Sequence, residues 1–64
     1  MPQFKEGDVV RHRKGGLYVI LAPPMSDIRL EYCNEPFYSY RDMKHNIWIR
    51  RQSEMEDGRF EKVK

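Results

Sequence analysis

The stretch Asp8-Val9-Val10-Arg11-His12-Arg13-Lys14-Gly15-Gly16-Leu17-Tyr18-Val19-Ile20-Leu21-Ala22-Pro23-Pro24 decides the fold. Two segments rich in β-branched and aromatic residues flank Gly15-Gly16, and glycine accepts the positive φ that a tight hairpin turn requires. The stretch predicts a β-hairpin with a first strand over 8–12 and a second over 17–22. The unbroken apolar run from Leu17 to Leu21 predicts that both faces of the second strand are covered and that it is central. Pro23-Pro24 ends it, because proline cannot donate to a ladder and restricts the residue before it.

Working outward, Ile28, Leu30 and Tyr32 alternate with Arg29, Glu31 and Cys33. This is the period-two pattern of a strand with one wet face, so a strand is expected over 28–33. Asn34-Glu35-Pro36 reads as a turn, and Phe37, Tyr38 and Tyr40 open a further extended or loop segment ending near Asp42. Residues 46–50 form the next expected strand, with Ile47 and Ile49 on one face and Trp48 on the other. Ser53 and Glu56 have the spacing of a capping box, and Gly58 suits a left-handed helix stop, so one helical turn is expected near 53–57. Residues 59–63 read as a last edge strand. Short strands joined by Gly- and Pro-rich turns predict an all-β fold, a small five-stranded SH3-like partly open barrel forming one domain over 1–64.

The chain has 64 residues, 39% of them hydrophobic and 34% charged, with 12 Lys plus Arg against 10 Asp plus Glu. A chain of this length pools its apolar residues in one core, which excludes a second domain. Low mean hydropathy raises disorder as an alternative, and the aromatic and β-branched clusters weigh against it. Cys33 is the single cysteine, so no intramolecular disulfide forms and a reduced, intracellular setting is expected. No apolar run approaches the roughly 20 residues of a membrane span. The opening MPQFKEGD has neither the apolar stretch of a signal peptide nor, with Glu6 and Asp8, the composition of a transit peptide. A cytoplasmic location without membrane contact is the expectation.

The inventory of reactive side chains is thin. His12, Cys33 and His45 are the soft metal ligands, and they lack the paired spacing of a zinc site, so no metal or other cofactor is expected. Cys33 with His12 or His45 as base has no third orienting group, and Cys33 reads as a small filler in a strand. Glu54, Glu56 and Asp57 read as a solvated turn rather than as an acid–base pair. Gly15-Gly16 feeds a strand and not a helix N-terminus, which removes the phosphate-loop reading. A non-enzymatic protein is expected.

Two basic clusters remain: Arg11, Arg13 and Lys14 at the first turn, and Arg41, Lys44, Arg50 and Arg51 around Trp48. With Tyr18, Tyr38, Tyr40 and Trp48 as stacking faces, they support a nucleic-acid-binding barrel. The near-balance of charge places that reading second, because such proteins carry a strongly basic face. Trp48 and Tyr18 are assigned to the core, while Tyr38 and Tyr40, in a Pro-flanked segment beside Arg41, are as well suited to an exposed surface.

Arg11, His12, Lys14, Gly15, Gly16, Tyr18 and Leu21 match a Y/V-R-H-x-K-G-G-x-Y-x-V-L stretch, Tyr40-Arg41 a Tyr-Arg pair, and Trp48-Ile49-Arg50 a W-V-R-P segment. In that order they resemble the small bacterial and phage proteins grouped as domain-of-unknown-function family 1653. Arg51 stands where that family has proline, and Ala22-Pro-Pro-Met-Ser26 replaces its A-x-H-S-E-T run, so no role residing there is implied. The resemblance implies a bacterial or phage setting and little about activity. The opening Phe4-Lys-Glu-Gly-Asp-Val-Val10 also resembles the start of many SH3-like barrels. The leading expectation is a protein-interaction or accessory module contacting its partner through Arg11, His12, Lys14, Tyr38, Tyr40, Arg41 and Arg50, with nucleic acid as the alternative partner. An isologous homodimer is a further expectation, from edge strands and a thin core.

Overall fold

The hairpin predicted around Gly15-Gly16 is formed by β1 (Val9–His12) and β2 (Leu17–Ala22) in a computed structural model that describes residues 3–25, 28–31 and 33–63. Gly15 N–H donates to His12 O at 2.7 Å, and His12 N–H donates to Gly16 O at 2.8 Å. The two glycines serve different ends. Gly15 has φ +113°, a conformation costly to any residue with a Cβ, whereas a Cβ on Gly16 would meet the Tyr18 hydroxyl at 2.8 Å.

The chain continues through β3 (Phe37–Asp42), β4 (Ile47–Arg51), α1 (Gln52–Met55) and β5 (Phe60–Val63). All pairings are antiparallel, in the order β4-β3-β2-β1-β5. β4 and β5 are the two edges. Among the described residues no ladder joins them, so the all-β sheet curls without closing into a barrel. Across the gap the Arg50 guanidinium lies 5.7 Å from the Phe60 ring centroid.

Register sorts the side chains. Val10, Tyr18, Ile20, Tyr38, Tyr40 and Phe60 point inward, and Phe4 and Met55 complete one core cluster. Phe4 is carried over the sheet by a turn in which Asp8 N–H donates to Lys5 O and the Asp8 carboxylate accepts Lys5 N–H, both at 3.0 Å, with Gly7 at φ +88°. Met55 arrives on α1, whose single turn buries that one side chain.

Several expectations are corrected. The segment expected as a strand over 28–33 forms only isolated bridges, Met25 with Ile28 and Leu30 with Glu35; Tyr32 lies outside the described residues. Leu30 O accepts Asn34 N–H at 2.7 Å with Asn34 at φ +51°, so this stretch folds back on itself. Its alternation finds no ladder because β3 occupies the free edge of β2. β2 is central by pairing, but only its inward face is well covered: Leu17, on the other face, is exposed. The capping box does not form. Ser53 N–H donates instead to the Glu35 carboxylate at 3.1 Å, and Glu56 turns to the core.

Candidate interaction surface

The seven expected contact residues do not share one surface. Tyr38 and Tyr40 are 0% and 4% exposed, which removes the surface reading given to them. The Tyr38 hydroxyl accepts Phe4 N–H at 3.1 Å and donates to the Glu56 carboxylate, which also accepts Gln3 N–H at 2.9 Å. Burial, with the Glu56 contact adding to it, pushes the Tyr38 hydroxyl up to about 12. For Glu56 burial works to raise the pKa, but the bonds from Gln3, Tyr38 and Gln52 prevail and hold it below the ordinary carboxylate value. A carboxylate expected in a solvated turn is thus the tie between the N-terminal segment, β3 and the end of α1.

The two basic clusters have different fates. Glu54 accepts hydrogen bonds from Arg50 at 3.1 Å, Arg51 at 2.8 Å and Arg59 at 3.3 Å, and Arg59 also pairs with Asp57 at 2.9 Å. The Arg51 hydrogen bond is the main reason that the Glu54 carboxyl is held low. Arg50 further donates to the Tyr40 hydroxyl at 3.2 Å, so its guanidinium is held in place by the core. Arg11, Arg13 and Lys14 make no ion pair among the described residues and line an open cleft of about 500 Å³ with Gly15, Gly58 and Glu61. His12 lies on the opposite face of β1 from Arg11, half-buried, with its ring edge-on to Phe60 at 5.0 Å and its Nδ1 accepting Lys14 N–H at 3.0 Å. Burial, then the positive charges of Arg50, Arg13, Lys14 and Arg59, lower its pKa. Arg41 is half-buried on the outer sheet face, in register with Val19 and Ile47.

The surface that sequence reasoning missed is the outer edge of β4. Ile47, Trp48 and Ile49 are 69%, 52% and 54% exposed. Trp48, assigned to the core by its apolar neighbours, does face inward with Tyr40, but the covering residues stop short of it because β4 is the last strand of the sheet. Its indole N–H donates to Asp42 at 3.1 Å. Asp42 also accepts Lys44 N–H, Asn46 N–H and the Asn46 side-chain amide, which bind the β3–β4 turn together. The Trp48 bond leads the causes that pull Asp42 down to about 2, against the opposing effect of burial. The Ile-Trp-Ile run itself was the available signal, since an edge strand normally carries charge or proline there. On the outer face Val63, Val9, Val19 and Ile47 form an apolar row around Arg41.

Among the described residues there is no group of three or more His, Cys, Asp or Glu side chains able to hold a metal, and no helix long and apolar enough to cross a membrane. Cys33 is half-buried and free. No family model, curated protein or solved structure matches the chain.

Proposed function

We propose that the chain is a protein-interaction module that takes its partner along the outer edge of β4. The observation that supports this is the run Ile47-Trp48-Ile49, three consecutive large apolar side chains exposed on an edge strand. Such an edge offers backbone hydrogen bonds to an added strand, and its side chains supply the apolar contact. Aromatic and arginine side chains are the enriched contact types at such surfaces, and Trp48 and Arg50 supply them here. The setting we propose is a bacterial or phage cytoplasm, the bacterial or phage part from the sequence resemblance and the reducing compartment from the lone Cys33.

The second reading is nucleic-acid binding, favoured by one observation: Arg11, Arg13 and Lys14 line an open cleft without ion pairs among the described residues. The two readings separate in a titration followed by amide chemical shifts. Extended peptides from a random library shift β4 amides if the edge is the binding surface, and Ile47→Lys abolishes the effect. Oligonucleotide binding that falls steeply with salt and is lost in Arg13→Ala and Lys14→Ala, without peptide binding at β4, overturns the first reading in favour of the second.

A further inference from the structure

The edge of β4 has a definite hydrogen-bond phase. Asp42 N–H donates to Asn46 O at one end of the β3–β4 ladder and Gln52 N–H donates to Pro36 O at the other, both at 3.0 Å. Antiparallel pairs alternate between those that exchange both backbone bonds and those that exchange none. With the register running from Arg41↔Ile47 to Phe37↔Arg51, Trp48 and Arg50 turn their backbone groups toward β3. Ile47, Ile49 and Arg51 turn theirs outward, where no strand pairs with them among the described residues.

We propose that this edge pairs with the same edge of a second copy, antiparallel, about a two-fold axis at Ile49. The inference rests on the reading of β4 as the interaction edge and names its occupant. Ile49 then exchanges backbone bonds with its symmetry mate, and Ile47 exchanges them with Arg51 on either side, about six bonds in all. The axis falls on a pair of outward-facing groups, and the same patch serves both copies, as in an isologous interface.

The side chains are self-complementary in this register; an axis at Trp48, a second arrangement without opposed like charges, pairs Ile47 with Ile49 but makes about four backbone bonds instead of about six. On the inward face Trp48 stands opposite Arg50 of the other copy, in the closely spaced type of pair, twice across the axis. Arg50 is already held against Tyr40 and Glu54, so its guanidinium is ordered before it meets the indole face. On the outer face Ile49 meets Ile49, flanked by Ile47 and the stem of Arg51. No like charges oppose one another. Moving the axis to Arg51 sets two arginines face to face, and moving it to Ile47 leaves Trp48 opposite Asn46 and shortens the ladder.

The remaining edge, β5, carries Glu61 and Lys62 in its middle, the charged pattern that discourages strand addition. Ile47, Trp48 and Ile49 expose on the order of 350 Å² per copy. With backbone and arginine stems, two copies bury roughly 1,000 Å², at the lower bound of specific interfaces, which fits a weak, reversible dimer.

Sedimentation from about 5 µM to about 1 mM tests this, and a reversible monomer–dimer equilibrium is the expected result. Ile49→Lys and Ile49→Glu each place like charges on the axis and are monomeric throughout. Mixed, they recover a one-to-one dimer, which only a contact of residue 49 with itself produces and which shows that both variants fold. Trp48→Ala weakens the dimer roughly tenfold through two lost cation–π pairs. A wild type that remains monomeric at the highest concentration overturns the proposal, and so does a dimer unaffected by Ile49→Lys or a mixture that stays monomeric. Peptide binding at β4 by a monomeric wild type overturns the dimer alone; absence of both overturns the broader reading as well.

Discussion

Replacing Tyr38 by Phe removes one oxygen from the centre of the molecule and leaves the ring to pack as before. The hydroxyl is the hydrogen-bond partner of Phe4 N–H at 3.1 Å, and the residue is fully buried, so no solvent takes its place. An orphaned buried donor costs about 1–3 kcal/mol. The Glu56 carboxylate loses the Tyr38 donor but keeps Gln3 N–H at 2.9 Å and Gln52, which limits the further loss. A core of this size supplies about 3–5 kcal/mol in total, so the substitution consumes a large share of the stability. Each kcal/mol lowers Tm by about 4–8 °C in so small a domain, giving a drop of about 5–20 °C. Thermal melts measure that drop, and urea unfolding followed by Trp48 fluorescence measures the loss of stability, with an unchanged m-value showing that the native state remains compact.

The same pair gives a pH signature. Tyr38 is raised to about 12, so its share of stability is full below the unfolded value near 10 and is lost as pH rises through the folded one. Glu56 is lowered, so its share is full above the unfolded carboxylate value and is lost as pH falls through the folded one. Tyr38→Phe abolishes the alkaline loss and reduces the acid loss. A cost below about 0.5 kcal/mol at neutral pH, the range of an ordinary surface substitution, refutes the role given to the hydroxyl.

Asp42 gives a second titration. With its carboxyl at about 2, the bond to the Trp48 indole persists in mild acid, and Trp48 fluorescence changes only as pH falls toward that value; Asp42→Asn removes the transition, and a midpoint near 4 in the wild type contradicts the hydrogen-bond account. Gly15→Ala and Gly16→Ala are expected to destabilise by different routes. The first costs about 1–2 kcal/mol of backbone strain and leaves near-ultraviolet dichroism unchanged, whereas the second displaces the Tyr18 ring from its edge contacts with Tyr40 and Phe60 and changes that signal. His12 is lowered from its ordinary value, so stability is full above the unfolded pKa and falls as pH drops below about 6.5; His12→Gln flattens this limb of the stability profile, which thermal melts at pH 5, 6 and 7 follow.

The elements most legible in the sequence were those specified locally. Gly15-Gly16 marks its turn whatever the rest of the chain does, and the bounds of β2 follow from the turn on one side and Pro23-Pro24 on the other. Residues 28–33 and 37–42 show the limit of pattern. The former alternates more cleanly, yet 37–42 forms β3, because a ladder needs a partner edge and β2 has one to offer. Periodicity describes a segment's own faces, and pairing depends on what else competes for the edge.

The tyrosine–tryptophan reversal has the same root. Tyr38 and Tyr40 lie on β3 within the core cluster that includes Phe4, Met55 and Phe60, while Trp48 lies one strand further out, on the edge of the sheet. Strand order decides burial here, and it is a property of the whole chain. Charge behaves likewise. The net +2 treats every acid as equivalent, but Glu54 is committed to Arg50, Arg51 and Arg59 and Asp57 to Arg59, so half of the second basic cluster, Arg50 and Arg51, is paired with an acid while Arg11, Arg13 and Lys14 at the hairpin turn make no ion pair among the described residues. That partition gives Arg50 its fixed orientation beside the β4 edge, and a fixed guanidinium loses less conformational freedom on meeting an indole than a free one does. The ion pairs around Glu54 therefore bear on recognition more than on stability. Glu54→Ala is expected to weaken self-association through β4 while changing the melting temperature little; equal affinity in wild type and variant contradicts this coupling.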